Sequence, residues 1–236
     1  IAYTVIGAGN AKPVFFAHGL LSNGRDYDVL GIALAGKGYK CICVDLPGRG
    51  KSDWLPDKKF YQPANYISYC LAVIDGEIGK THFDWFGVSL GGLIGLIISS
   101  GGLAHIDRLI LGDIGAEVSR KGLRKVSKMA KGPAAFSSFF EAVSFLKKRC
   151  AAWGITQDST WNHLIAHNIV HEEGDKYRMH YDPTIGAAIR FIRSAPVPMD
   201  HMRGNRPSMA AHTVIALGRT RLTAPWMMAS ARSLVV

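Results

Sequence analysis

Short apolar runs alternate with segments of helical spacing along the first half of the chain. Residues 13–17 (PVFFA) are fully apolar and stop at a histidine and a glycine, and residues 39–45 (YKCICVD) stop at a proline-glycine turn. Short apolar runs that end at such loops are typical of buried parallel strands. With the helical spacing of residues 28–37 between them, the two runs predict a βαβ unit.

The same alternation continues to residue 112. Spacing and composition predict a helix over residues 63–78, a strand over 82–86, an apolar helix over 91–100 and a strand over 106–112. Strands that alternate with helices form parallel sheets with helices on both faces. The predicted fold class is therefore α/β, with a doubly wound, mostly parallel sheet.

After residue 112 no strand pattern is recognised for some distance, and helical spacing follows over residues 136–153 and 159–171. We expect an all-helical insertion that roofs the carboxyl edge of the sheet, where ligands bind in open α/β folds. One further strand-like run occupies residues 213–218. The predicted division is an N-terminal core part, a helical cap and a remaining core part that is incomplete or atypical, at residues 1–116, 117–185 and 186–236.

Composition narrows the possible classes of protein. The chain is 48% hydrophobic and 19% charged, and no apolar run reaches the roughly 18 residues of a membrane span, so we expect a soluble protein without a membrane partner. No signal peptide is recognised before the first strand. The four cysteines show neither metal-ligand nor redox spacing, so we expect reduced core thiols, no metal or other cofactor, and a reducing, cytoplasmic location.

The net charge of +10 raises the question of nucleic-acid binding. From residue 191 onward the chain has six arginines and one aspartate, so this tail alone accounts for half of the net positive charge. A second basic cluster between residues 120 and 131 has helical spacing and no interleaved aromatic residues, which favours a solvated helix face. We therefore expect no nucleic-acid partner.

The chemistry is concentrated at Gly87-Val88-Ser89-Leu90-Gly91, between a predicted strand and a predicted helix. Glycines two positions before and after a serine permit a strained turn that holds the hydroxyl clear of the sheet, so Ser89 is the predicted nucleophile. The alternative is a glycine-rich connection with an incidental serine. Acyl transfer also needs two backbone donors for the oxyanion, and Leu90 and Leu20 occupy those places. His18 is interpreted as a structural imidazole that ties loops together.

Four segments resemble the α/β-hydrolase superfamily, and more narrowly its capped esterase and C–C-bond hydrolase branch. They are residues 18–22 (HGLLS), 45–53 (DLPGRGKSD), 87–92 (GVSLGG) and 109–115 (LILGDIG). The resemblance implies an α/β-hydrolase fold with a helical cap. It also implies a small-molecule ester substrate that is cleaved through an acyl intermediate on Ser89.

The C-terminal part departs from the family pattern. The acid expected after the strand at 213–218 is missing from residues 219–223 (RTRLT), and no histidine follows His212. One explanation is a reading-frame change near residues 195–220, in which case an intact gene would restore an acid near Arg221 and a C-terminal histidine. The other is a triad in which Asp113 supplies the acid. A base would then come from one of five histidines, none of which is assigned: His163, His167, His171, His201 or His212.

Three functions stay open at this point. The first is a carboxylesterase-like serine hydrolase for uncharged esters. The second is a C–C-bond hydrolase, which needs a cation such as Arg190 or Arg193 over the nucleophile. The third is a non-catalytic protein of the same fold, favoured by the missing acid and histidine. An edge strand exposed by an incomplete core would favour a homodimer.

Overall fold

The computed structural model describes residues 1–114, 130 and 132–186, together with the backbone of a strand at 213–217. Among these residues the strands are β1 Ala2–Ile6, β2 Lys12–Ala17, β3 Tyr39–Asp45, β4 Phe83–Val88, β5 Ile106–Gly112, β6 Ile169–Glu172, β7 Lys176–Met179 and β8 Thr213–Leu217. The α-helices are α1 Asp28–Ala35, α2 Pro63–Glu77, α3 Leu90–Ser100, α4 Phe139–Cys150 and α5 Asp158–Asn168.

A six-stranded sheet has the order β1-β3-β2-β4-β5-β8. The strand β1 is antiparallel to β3, whereas all the other pairs are parallel. The predicted doubly wound, mostly parallel sheet is confirmed. The strand order reverses between β2 and β4, and the crevice at the carboxyl ends of such a pair is the usual ligand site in this architecture.

The central strands form because their side chains are apolar on both faces. Phe15 of β2 stacks on Trp85 of β4 with ring centroids 4.7 Å apart, on the face that also holds α2 and α3. Phe16 and Phe86 lie 5.6 Å apart on the opposite face, together with the thiols of Cys41 and Cys43. All four cysteines are buried and free of disulfides, as predicted.

Two features of the fold differ from the sequence prediction. The strand β1 was not predicted, and its pairing with β3 extends the sheet by one antiparallel edge strand. Residues 159–171 were predicted as one helix, but α5 ends at Asn168 and the chain continues as β6. The strands β6 and β7 form an antiparallel hairpin whose turn contains Gly174 and Asp175, both at positive φ. The segment 132–186 is therefore not all-helical.

The segment 132–186 packs on the loops at the carboxyl edge of the sheet. The Gly50 amide donates to the His180 carbonyl over 3.0 Å, and the Asp182 amide donates to the Gly48 carbonyl over 2.8 Å. Asn23, in the loop after β2, donates through Nδ2 to the His167 carbonyl over 3.0 Å. Backbone contacts of this kind fix the segment against the loops that follow β2 and β3. The basic cluster predicted between residues 120 and 131 lies outside the described residues.

Candidate active site

Ser89 stands alone between the last residue of β4 and the first residue of α3. Its backbone has φ 49° and ψ −108°, a conformation that non-glycine residues rarely adopt. The Ser89 amide donates to the Gly112 carbonyl of the neighbouring strand over 2.9 Å, and its carbonyl accepts the first helical bond from Leu93 at 3.0 Å. Its side chain is half-buried and does not cap the helix. The hydroxyl is therefore held at the sheet edge, at the positive end of the α3 dipole.

Two glycines make this turn sterically possible. A Cβ at Gly91 would overlap the Ala17 carbonyl of β2, and a Cβ at Gly87 would overlap the backbone of Gly91. Neither obstacle is a flexible side chain, so both positions exclude every other residue without a shift of the backbone. These contacts explain the spacing of glycines around Ser89 that marked the motif in the sequence.

The loop after β2 lies directly beside Ser89. A Cβ built on Gly19 would lie 3.9 Å from the Cβ of Ser89, and the Gly91 amide donates to the His18 carbonyl over 3.2 Å. Among the described residues, no group accepts a hydrogen bond from the Leu20 amide. Leu90 occupies the first position of α3, where a helical amide has no intrahelical acceptor. The two predicted oxyanion donors thus come from the two segments that flank Ser89.

His18 fixes the peptide that carries the Leu20 amide. The imidazole is fully buried, its Nδ1 lies 2.6 Å from the Gly19 carbonyl oxygen, and its Nε2 accepts from the Leu46 amide over 2.9 Å. Burial, with the Arg49 charge nearby, lowers the pKa of His18 to about 3. The ring is therefore neutral, with its proton on Nδ1, and the Gly19 carbonyl that it holds belongs to the same peptide as the Leu20 amide. The structural interpretation of His18 is confirmed.

Arg49 holds the other side of Leu20. Its guanidinium is fully buried and donates through Nε to the Leu20 carbonyl over 2.8 Å and through Nη1 to the Tyr66 hydroxyl over 2.9 Å. The charge also lies over the Tyr66 ring, 4.9 Å from the centroid. Both carbonyls that flank the Leu20 amide are thus held by buried side chains. Sequence reasoning did not find this role, although an arginine between two glycines after a buried strand could have suggested it.

Asp113 follows β5 at the same edge of the sheet as Ser89. Gly112 pairs with Val88, so the residues that follow these two positions, Asp113 and Ser89, leave adjacent strands side by side. Asp113 is exposed and has φ 54°, which points to a constrained turn. Its assignment as the catalytic acid stays a prediction.

Among the described residues, no histidine nitrogen forms a hydrogen bond with the Ser89 hydroxyl. His163 and His167 lie together with Asp28, and His171 stacks on Tyr177 in the exposed hairpin. The remaining candidate histidines, and the two arginines considered for a dioate substrate, lie outside the described residues: His201, His212, Arg190 and Arg193.

Comparison with known proteins decides the family. The family whose description is "alpha/beta hydrolase fold" matches residues 12–147, which is more than half of the chain. The chain belongs to the α/β-hydrolase family. Its match covers β2 to β5, the turn at Ser89 and most of α4, the first helix of the 132–186 segment.

Three relatives place the chain within this family. It is 31% identical over 190 residues to the 3-hydroxybutyrate-oligomer hydrolase of Cupriavidus necator. The aligned region covers 79% of this chain and 64% of that protein. It is 31% identical over 106 residues to an esterase of Mycobacterium tuberculosis, covering 45% of this chain and 34% of that protein. The chain thus spans less than two thirds of either curated relative. A solved structure from Rickettsia typhi superposes with a TM-score of 0.74 at 25% identity, covering 92% of this chain and 83% of that chain.

An acidic side chain missed by the sequence analysis is Asp26, which hydrogen-bonds with Ser22 in the loop after β2. A Cβ at Gly19 would lie 3.8 Å from the Ser22 hydroxyl, on the same loop that flanks Ser89. Burial raises the pKa of Asp26 to about 6, and a hydrogen bond with Ser22 opposes the rise. Nothing in the sequence distinguished Asp26 from other loop carboxylates, because its burial arises from tertiary packing.

Among the described residues, no helix combines the length and the apolar character that are needed to cross a bilayer.

Proposed function

We propose that this α/β-hydrolase cleaves uncharged carboxylic esters through an acyl intermediate on Ser89. The observation that supports it most is the strained backbone of Ser89, at φ 49° and ψ −108° between β4 and α3. Strain of this kind persists only where surrounding structure enforces it, and it holds the hydroxyl where a substrate can reach it. The names of the two curated relatives, a hydroxybutyrate-oligomer hydrolase and an esterase, point to ester substrates.

The proposed reaction has two steps. The Ser89 oxygen attacks the ester carbonyl while a base removes its proton, and the oxyanion is bound by the Leu20 and Leu90 amides. The alcohol leaves with a proton, and water then cleaves the acyl-serine to release the acid and restore the hydroxyl. Asp113 would orient and stabilise the protonated base. No histidine is assigned as the base; His201 and His212 are the candidates that lie outside the described residues.

Short oligomers of 3-hydroxybutyrate are the first natural substrates to test, because the curated relative that covers most of this chain is named for them. Their internal linkages are carboxylic esters, and each oligomer carries one ionised carboxyl group at its end. The substrate, the cytoplasmic location and the homodimer inferred from the sequence are all predictions at this stage.

A non-catalytic role is the second candidate. The observation that favours it is the absence of any carboxylate in residues 219–223, directly after the strand β8. Without a base a serine hydroxyl is a weak nucleophile, and a hydrolase fold would then bind a ligand without turnover. A C–C-bond hydrolase would use the same serine on a dioate substrate that a cation holds, so analysis of the products released from such a substrate separates it from the esterase.

The test is hydrolysis of p-nitrophenyl acetate and butyrate by the full chain, beside Ser89→Ala and a matched control. Ser100→Ala is that control, because Ser100 is exposed at the far end of the same helix and bonds only its own turn, at the Ile97 carbonyl. The proposal predicts turnover in the wild type and Ser100→Ala, and none above background in Ser89→Ala. Equal rates in all three proteins, or none in any, would overturn it.

A further inference from the structure

Asp28, His163 and His167 form a compact cluster between α1 and α5. Asp28 is the first residue of α1, and the two histidines lie one turn apart on α5, with ring centroids 4.5 Å apart. One carboxylate oxygen and one nitrogen from each ring all lie within 4.8 Å of one another. The cluster therefore joins the core helix after the oxyanion loop to the segment 132–186.

One oxygen of Asp28 has no partner. Asp28 is 6% exposed, and its Oδ1 is buried without a hydrogen bond to any described residue. Its Oδ2 forms an ion pair with Arg25 at 2.6 Å, so the two oxygens have different environments. Burying a carboxylate oxygen without a partner is costly, and native structures rarely leave one so. The unpartnered oxygen belongs to the carboxylate that lies beside the two imidazoles, so a cation bound to this carboxylate would offset the cost of its burial.

The charges that face the cluster are compatible with one bound cation. Arg25 opposes a second positive charge, but it occupies Oδ2 and its side chain is 35% exposed, so solvent screens it. A neutral imidazole binds a metal ion through the ring nitrogen that carries no proton, and both histidines of the cluster offer such a nitrogen.

The hydrogen bonds of His163 allow either ring nitrogen to act as a ligand. Its Nε2 lies 2.8 Å from the Arg25 carbonyl oxygen and 3.5 Å from Oδ2 of Asp28. If Nε2 carries the proton and donates to Arg25, Nδ1 has the lone pair, and a metal-bound histidine commonly donates its other N–H to a backbone carbonyl in this way. If Nε2 is the ligand, that hydrogen bond is given up.

We propose that Asp28, His163 and His167 form a binding site for a transition-metal ion of the Zn²⁺ class. Two imidazoles and one carboxylate suit Zn²⁺, Ni²⁺ or Cu²⁺ and not Ca²⁺ or Mg²⁺, which prefer oxygen ligands. Three protein ligands leave a position for water. Zn–ligand bonds of about 2 Å place ligand atoms roughly 3.3 Å apart, so binding draws α5 and α1 together by side-chain rotation or a small helix shift.

The expected effect of the metal is to fasten the segment 132–186 to the core. Asn23 already donates to the His167 carbonyl, so the loop before α1 and the end of α5 are neighbours without a metal. A ligand that binds only the folded state stabilises it in proportion to its concentration over its dissociation constant. This site therefore adds a metal-dependent contribution to stability, independent of whether Ser89 turns over an ester.

The test is calorimetric titration of untagged, chelator-treated full chain with ZnCl₂, and separately with MgCl₂. The variants His167→Ala and Asp28→Asn remove one ligand each, and circular dichroism checks that they fold. His82→Ala is the matched control. His82 is exposed and pairs with Asp107 where β4 and β5 begin, and it is not part of the cluster. His163→Gln gives a third ligand variant at a half-buried position, in case Asp28→Asn does not fold.

The proposal predicts binding of one Zn²⁺ per chain and no heat with Mg²⁺. It predicts at least about tenfold weaker Zn²⁺ binding in each ligand variant, since even outer-shell losses weaken metal sites by about 10 to 100-fold, and unchanged binding in His82→Ala. Zn²⁺ should also raise the melting temperature of the wild type and not of His167→Ala. The proposal would be overturned if the wild type bound no Zn²⁺ at about 100 μM ZnCl₂. It would also be overturned if all ligand variants bound Zn²⁺ as the wild type does.

Discussion

The Nδ1 of His18 lies 2.6 Å from the carbonyl oxygen of Gly19, and the amide of the same peptide belongs to Leu20. A trans peptide is planar, so its carbonyl and its N–H point in opposite directions, and holding one orients the other. His18 therefore acts on the proposed oxyanion site as a positioning residue, without contact with the substrate.

Replacing His18 tests this relationship. We expect His18→Ala to lower kcat by about 10²-fold with little change in KM, because losing an oriented oxyanion donor costs about that much. His18→Asn can still donate an amide N–H to the Gly19 carbonyl, so it should recover part of the lost rate. Steady-state kinetics on p-nitrophenyl butyrate measure both variants. A loss in His18→Ala that appears only as reduced stability, with unchanged kcat in the folded fraction, would contradict the role.

The pH dependence of stability should carry opposite contributions from His18 and Asp26. The pKa of His18 falls from 6.5 to about 3 on folding, so the unfolded chain binds the extra proton and this contribution is lost as the pH falls below about 6.5. The slope is up to about 1.4 kcal/mol per pH unit. The pKa of Asp26 rises from 3.8 to about 6, so its contribution is present in full below about 3.8 and is lost as the pH rises through about 6.

Between about pH 4 and 6 the two effects therefore oppose each other. Asp26→Asn removes one of them, so the free energy of unfolding of this variant should fall more steeply from pH 6 to pH 4 than that of the wild type. Urea denaturation at several pH values measures the slope. Parallel slopes in the two proteins would show that Asp26 does not titrate differently in the folded chain.

The close approach of α3 to β2 predicts a strong effect of one methyl group. We expect Gly91→Ala to abolish activity and to lower the free energy of unfolding by about 1 to 3 kcal/mol, because its Cβ would overlap the Ala17 carbonyl. Gly9→Ala is the control, since a Cβ there meets nothing within 4 Å. Denaturation and ester turnover are measured on both. An active Gly91→Ala protein would show that the turn tolerates a wider separation of helix and strand.

Asp113→Asn tests the acid of the proposed triad. A triad acid replaced by its amide leaves the geometry but lowers kcat by about 10⁴-fold, because the base is held in the wrong tautomer. Asp107→Asn is the matched control at the other end of β5, where the carboxylate pairs with His82. Kinetics of both variants should show the loss in Asp113→Asn alone. Full activity in Asp113→Asn would return the acid to the C-terminal part of the chain.

The sequence predicted the fold where local pattern and tertiary position agree. The bounds of β3 and β5 were predicted to the residue, because each has a short apolar centre (CICV and LIL) and ends at a clear turn signal. The turn at Ser89 was also predicted, since only glycine satisfies the close contacts at positions 87 and 91.

Other features could not be predicted from local pattern. The strand β1 is short, and it is defined by its pairing with β3 more than by its own residues. The hairpin β6–β7 was assigned to a helix because Ile169 and Val170 continue the apolar spacing of α5, although the Gly174-Asp175 turn was a signal for it. The roles of Arg49 and Asp28 depend on burial and on partners distant in sequence, which no single sequence displays.

The most direct test of the account is the mass of the intact protein after reaction with a fluorophosphonate, followed by peptide mapping. The account predicts one adduct per chain, located on Ser89 and absent from Ser89→Ala, with Ser100→Ala labelled like the wild type. An adduct on another residue, or a folded wild type that reacts no faster than Ser89→Ala, would contradict the assignment of Ser89 as an activated nucleophile.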